Sequence, residues 1–150
     1  MEPAELIRML VIALGVFILN WIWYSPALFG KIWMKEVMGV TQPPKTLSKA
    51  QKAQMMRGIV LGFIFQVISV YVLAHFLFSM ELANDFDGLP GKEKTMMALT
   101  TGLWIWLGFM LPLGMYAFLW EGKKLVVSLI NAGSSLMAMM VSALLLTLWM

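Results

Sequence analysis

Four stretches of this chain are too long and too apolar to be hidden inside a protein of its size. They run over Leu6–Tyr24, Gly58–Phe78, Met96–Trp120 and Leu125–Met150. A helix rises 1.5 Å per residue, so about 20 apolar residues cross a hydrocarbon core about 30 Å thick. Only 13% of the 150 residues are charged and 61% are hydrophobic, whereas soluble domains carry about 25% charged residues. The pattern predicts an all-α integral membrane protein: a four-transmembrane-helix bundle forming one domain over residues 1–150. Its spans are expected at about 4–24, 55–78, 95–120 and 124–149, the second starting as early as residue 48.

The residue inventory removes several function classes. With no cysteine, disulfides, thiolate metal sites and cysteine nucleophiles are excluded. His75 is the single histidine, so no zinc helix with two histidines exists, and no phosphate-binding loop is present. The fifteen methionines could suggest a copper(I) site, but they scatter and read as apolar filler. No cofactor is expected. The net charge of +3 sits largely in one loop, which points to membrane topology rather than nucleic-acid binding. The leader MEPAELIR is acidic and no small-residue cleavage site follows, so the first apolar run is expected to stay as a helix.

Basic residues favour the cytoplasmic face of a bilayer. Lys31, Lys35, Lys45, Lys49, Lys52 and Arg57 lie between the first and second spans, and Lys123 and Lys124 between the third and fourth. The link between the second and third spans holds Glu81, Asp85, Asp87 and Glu93, a solvated acidic loop whose spacing fits no calcium loop. Both termini are therefore expected outside a bacterial inner membrane, with the basic segments in the cytoplasm. Pro26 ends the first span near Tyr24, and Ser25 with Pro26 suits the start of a short amphipathic interfacial helix over about 26–38. Lys31 and Lys35 mark its polar face, Glu36 interrupts the apolar one, and Gly39 stops it. After the Pro43-Pro44 break, Ser48 with Gln51 reads as a capping box.

No charged residue is placed securely at mid-depth, so a site built on buried charge is disfavoured. What remains is amide, hydroxyl and glycine. Gly58, Gly62, Gln66 and Ser69 share a face of the second span; Asn131, Ser134, Ser135, Ala138 and Ser142 share one on the fourth. Thr101, Trp104, Gly108 and Pro112 align on the third span, where Pro112 is expected to bend the helix. Ala13, Val16, Asn20 and Tyr24 align on the first. Small residues let membrane helices approach closely, so these stripes are expected to meet at a seam, with Gly58, Gly62, Gly108, Ala138 and Ser142 as packing positions. Counting the helical rise, Asn20, Asn131 and Gln66 fall about 6, 10 and 14 Å from the cytoplasmic edge. These amides could lock the bundle or line a pocket. Trp21, Trp23, Tyr24 and Trp33 suit an aromatic belt at headgroup level. Trp21-Ile22-Trp23 is echoed by Trp104-Ile105-Trp106.

Trp23-Tyr24-Ser25-Pro26, followed by Phe29-Gly30-Lys31 and Trp33, resembles the hallmark of an uncharacterised family of small four-helix membrane proteins of bacteria and fungi. Trp104 to Phe109, Glu121-Gly122 and Leu129 to Gly133 look like that family's later blocks. The resemblance covers nearly the whole chain and implies four membrane helices; it implies no substrate or reaction. The expected role is non-enzymatic: packing in the membrane against lipid, another copy or a larger partner. The alternative is a small oligomeric transporter or channel for a neutral solute, with its path lined by Asn20, Gln66 and Asn131.

Overall fold

The computed structural model describes residues 3–40, 42, 46–84 and 90–149, which form helices and turns without a strand. Helix α1 covers Pro3–Trp23, the short α2 Gly30–Met38, and α3 Lys49–Asn84. Helix α4, Gly91–Ile105, runs through a π-helical turn, Trp106–Met110, into α5, Leu111–Trp120; α6, Leu125–Trp149, closes the chain. Four helical stretches are long and apolar enough to cross a membrane: Ala4–Trp23, Lys49–Met80, Gly91–Trp120 and Leu125–Trp149. The fold is thus all-α, with the short helix between the first and second long ones. Pro43, Pro44, Asp85 and Asp87, and the side chain of Glu81, lie outside what is described.

Local sequence sets the start of α3 and the end of α2. The Gln51 N–H donates to the Ser48 hydroxyl at 3.2 Å, and the Ser48 N–H donates to the Gln51 side-chain oxygen at 2.9 Å. This reciprocal pair is the capping box read in the sequence, and α3 begins at Lys49. Gly39 ends α2 with φ +70°, a left-handed conformation that costs glycine little. The start of α2 differs from expectation. Ser25 does not cap a helix through its side chain. Its carbonyl instead accepts from Leu28 and Gly30 at 3.1 and 2.9 Å, so residues 24–29 form a turn and α2 starts four residues after Pro26.

Helix α6 is the hub, packing against every other element, while α3 barely touches α4. In the most apolar 18 residues of the third long stretch only 6% are buried, against 39% in the fourth. The core gathers Met9, Ile12, Ala13 and Val16 of α1, Val70, Leu73 and Ala74 of α3, Ala98 of α4, and Met139, Ala143 and Leu146 of α6. Helices α1 and α6 run antiparallel: the Arg8 guanidinium donates to the Trp149 carbonyl at 3.0 Å, and Ser134 meets Asn20 near the other end.

Two expected packing glycines turn away from the seam. A methyl group built on Gly58 or Gly108 would meet nothing within 4 Å. On α4 the inward face runs instead through Ala98 and Gly102, and Trp104 is 66% exposed. Gly102 is the close approach, because a methyl there would lie 3.2–3.4 Å from Met140, Ala143 and Met139. The bend expected at Pro112 appears as a π-helical turn just before it, where the Leu111 N–H donates five residues back to Trp106. Proline lacks an N–H and crowds the carbonyl four residues earlier, here that of Gly108, so a widened turn relieves both problems. Trp104, before this turn, already faces outward, and Gly108 follows it on the exposed side.

Candidate polar cleft

The end of α1 is folded back by a knot of backbone bonds. The Phe29 N–H donates to the Trp23 carbonyl at 3.1 Å, and the Trp23 and Phe29 rings stack with centroids 4.6 Å apart. Gly30 closes the turn so tightly that a methyl on it would lie 2.1 Å from the Tyr24 carbonyl oxygen. This accounts for the spacing from Trp23 to Gly30, and it presses two aromatic side chains onto α6.

Trp23 lies over Gly133, where a methyl would sit 2.8 Å from its ring, and its indole N–H donates to the Ile130 carbonyl at 3.1 Å. From the other side, Trp106 donates to the Ala132 carbonyl at 3.1 Å and to the Ser135 hydroxyl at 2.9 Å. The last tryptophan of each Trp-Ile-Trp triplet therefore hangs on the α6 backbone. Tyr24 donates to the Asn131 side-chain oxygen at 2.9 Å, and Trp33 meets the Tyr24 ring edge-on. Of the residues expected in the aromatic belt, only Trp21 faces outward, at 57% exposure; Trp23, Tyr24 and Trp33 are half-buried against the bundle. For Trp23 and Tyr24 the reason is hydrogen bonding to a protein carbonyl and an amide, and Trp33 is held by packing edge-on against the Tyr24 ring.

The amide residues gather beside this knot. The Ser134 hydroxyl donates to the Asn20 oxygen at 2.7 Å, and the Asn20 amide donates to the Gln66 oxygen at 3.5 Å, a weak bond. Asn20, Gln66 and Asn131 line one open-sided cleft of about 410 Å³ between α1, α3 and α6. Ser134, Ser135, Ala138 and Ser142 form its α6 side; Gly62 and Ser69 belong to its α3 side. From the third long helix only Met110, on the π-helical turn, reaches it. The lining contains amides, hydroxyls and apolar groups, with no charged side chain. Gly62 gives its space to the Phe17 ring, 3.3 Å from where a methyl would sit, so it packs within the chain.

Several sequence readings fall outside the cleft. His75 is exposed and stacks on Tyr71 with ring centroids 4.6 Å apart. No group of three metal-binding side chains occurs among the described residues. Glu36, read as a flaw in the apolar face of α2, forms an ion pair with Lys124 at the start of α6. The Lys124 hydrogen bond holds the Glu36 pKa below its ordinary value. Sequence reasoning missed Gly30, Gly102 and Trp106 as contact positions. The repeated tryptophan triplet and the Gly133 beside Asn131 were the available signals for the clamp on α6.

These features define a class, an all-α chain of four long apolar helices around a small uncharged cleft. The chain belongs to the family described as "Protein of unknown function (DUF1761)", whose sequence model matches residues 7–147. No curated protein and no solved structure matches it.

Proposed function

We propose that this chain is a non-enzymatic integral membrane protein that acts through lateral contacts within the bilayer, with lipid, another copy of itself or a membrane partner. The observation that carries this reading is the outer surface. Large apolar side chains such as Ile7, Leu14, Phe65, Ile68, Phe109 and Leu113 stand 45% or more exposed, far more apolar area than water-soluble monomers present. The basic residues around α2 and the start of α6 favour a bacterial inner membrane with that end in the cytoplasm and both termini outside. Because Gly62 is already filled by Phe17, self-association would use a surface other than the Gly58–Gly62 pair. Carriage of a neutral solute through the cleft is the second reading, favoured by the meeting of amides from three helices there.

The chain has no cysteine, so single introduced cysteines report topology without background. In spheroplasts, an impermeant maleimide should label Lys92→Cys directly and Thr46→Cys only after permeabilisation. The reverse pattern overturns the orientation, and labelling of both in intact spheroplasts overturns the four-span reading. Cross-linking in native membranes that captures only monomer removes the self-association branch.

A further inference from the structure

We infer that the cleft is a binding site for an uncharged, elongated amphiphile that presents hydrogen-bond-accepting oxygens, such as a neutral glyceride; this rests on the membrane reading above. The argument begins with donors that the protein leaves unused. Ser134 donates to Asn20 and Asn20 donates to Gln66, so the direction of the chain leaves the Gln66 amide N–H groups over. The Asn131 oxygen is taken by Tyr24, and the Asn131 N–H groups have no protein partner. Ser142 is only 3% exposed, lines the cleft and makes no hydrogen bond, not even to the carbonyl one turn back, unlike Thr147 of the same helix. Gln66 is half-buried and Asn131 exposed, so on the membrane reading their donors face the cleft and the bilayer, where a polar group without a partner is costly. Three sets of donors facing one space call for acceptors.

Charge and shape narrow the occupant further. With no cationic side chain in the lining, nothing there compensates a phosphate or carboxylate. From Asn131 to Ser142 the cleft follows α6 for about 16 Å at 1.5 Å per residue. Between those ends Phe17, Leu73, Met110 and Met139 supply apolar wall. A volume of about 410 Å³ suits a small ligand. The cleft is open-sided, and on the membrane reading a hydrocarbon chain leaves through that opening into the bilayer.

The test uses the full chain in phosphatidylcholine vesicles with two photoactivatable probes, a diacylglycerol and a phosphatidylglycerol of the same chain length. Diacylglycerol should label peptides of α3 and α6 that line the cleft. The double variant Gln66→Leu/Asn131→Leu should cut that labelling about tenfold, and Ser142→Ala, which keeps the shape, about two- to threefold. Phosphatidylglycerol should label only outward faces and respond to neither variant. Equal labelling of the cleft by both probes overturns the inference, as does wild-type labelling of the double variant. Should the double variant fail to fold, Ala138→Leu, which fills the cleft, must abolish labelling in its place; persistence of labelling also overturns it. Alkaline carbonate extraction separates the two readings: release from the membrane sinks the membrane reading, whereas retention without cleft labelling sinks the ligand alone.

Discussion

Gly30 carries more of the local structure than its size suggests. An added methyl would lie 2.1 Å from the Tyr24 oxygen and 2.7 Å from the Ser25 carbonyl, all backbone atoms that cannot rotate aside. Gly30→Ala must therefore open the turn that seats Trp23 on Gly133 and Tyr24 on Asn131. The expected cost is about 1–3 kcal/mol, typical of overpacking, seen as a lower midpoint of denaturant unfolding in detergent micelles. Gly15→Ala in α1 is the control, since a methyl there meets nothing within 4 Å and should change stability by less than about 0.5 kcal/mol. Position 30 was visible in the sequence only within a motif. Its reason, a glycine pressed on a carbonyl, depends on how the chain doubles back.

At the scale of elements, α2 is held to α6 by charge as well as by packing. The Glu36–Lys124 pair joins residues 88 apart in sequence, at the helix stop and start that face the same end of the bundle. Glu36 has a folded pKa lowered by Lys124. Its contribution to stability is thus complete above the ordinary carboxylate pKa and is lost as pH falls through the lower folded value. Melting of the wild type should drop more steeply as the pH falls from about 4 to 3, below an ordinary glutamate pKa, than melting of Glu36→Gln. Parallel pH profiles for the two proteins would rule out the pair as an anchor. Helix limits were legible where a local rule governs them, as with the Ser48–Gln51 box and Gly39. The start of α2 was not, because Ser25 uses its carbonyl in a turn where a capping hydroxyl was expected.

For the whole molecule, α6 organises everything else, and the contact with α4 depends on Gly102. Gly102→Leu should push α4 away from Met139, Met140 and Ala143 and cost about 1–3 kcal/mol. Gly108→Leu, one and a half turns later, should cost less than about 0.5 kcal/mol, since its surroundings are open. Unfolding midpoints of the two variants in the same micelles compare them directly. Equal losses would mean that α4 packs through a different face. Six residues apart, the two glycines lie about 120° apart on a regular helix, so they cannot both face α6, and the sequence does not say which one does.

Hydropathy, helical rise and charge placement determined the number of long helices, their approximate limits and the polar stripes of α1, α3 and α6. These are local or periodic properties, expressed by residues within one helix. Tertiary structure alone decided which stripe of α4 faces inward, which tryptophans leave the surface, and which amide donors are left without a protein partner. Each of those depends on the rotation of one helix about its axis relative to another. That rotation is set by close contacts such as Gly133 under Trp23 and Gly102 against Ala143, between residues far apart in the chain.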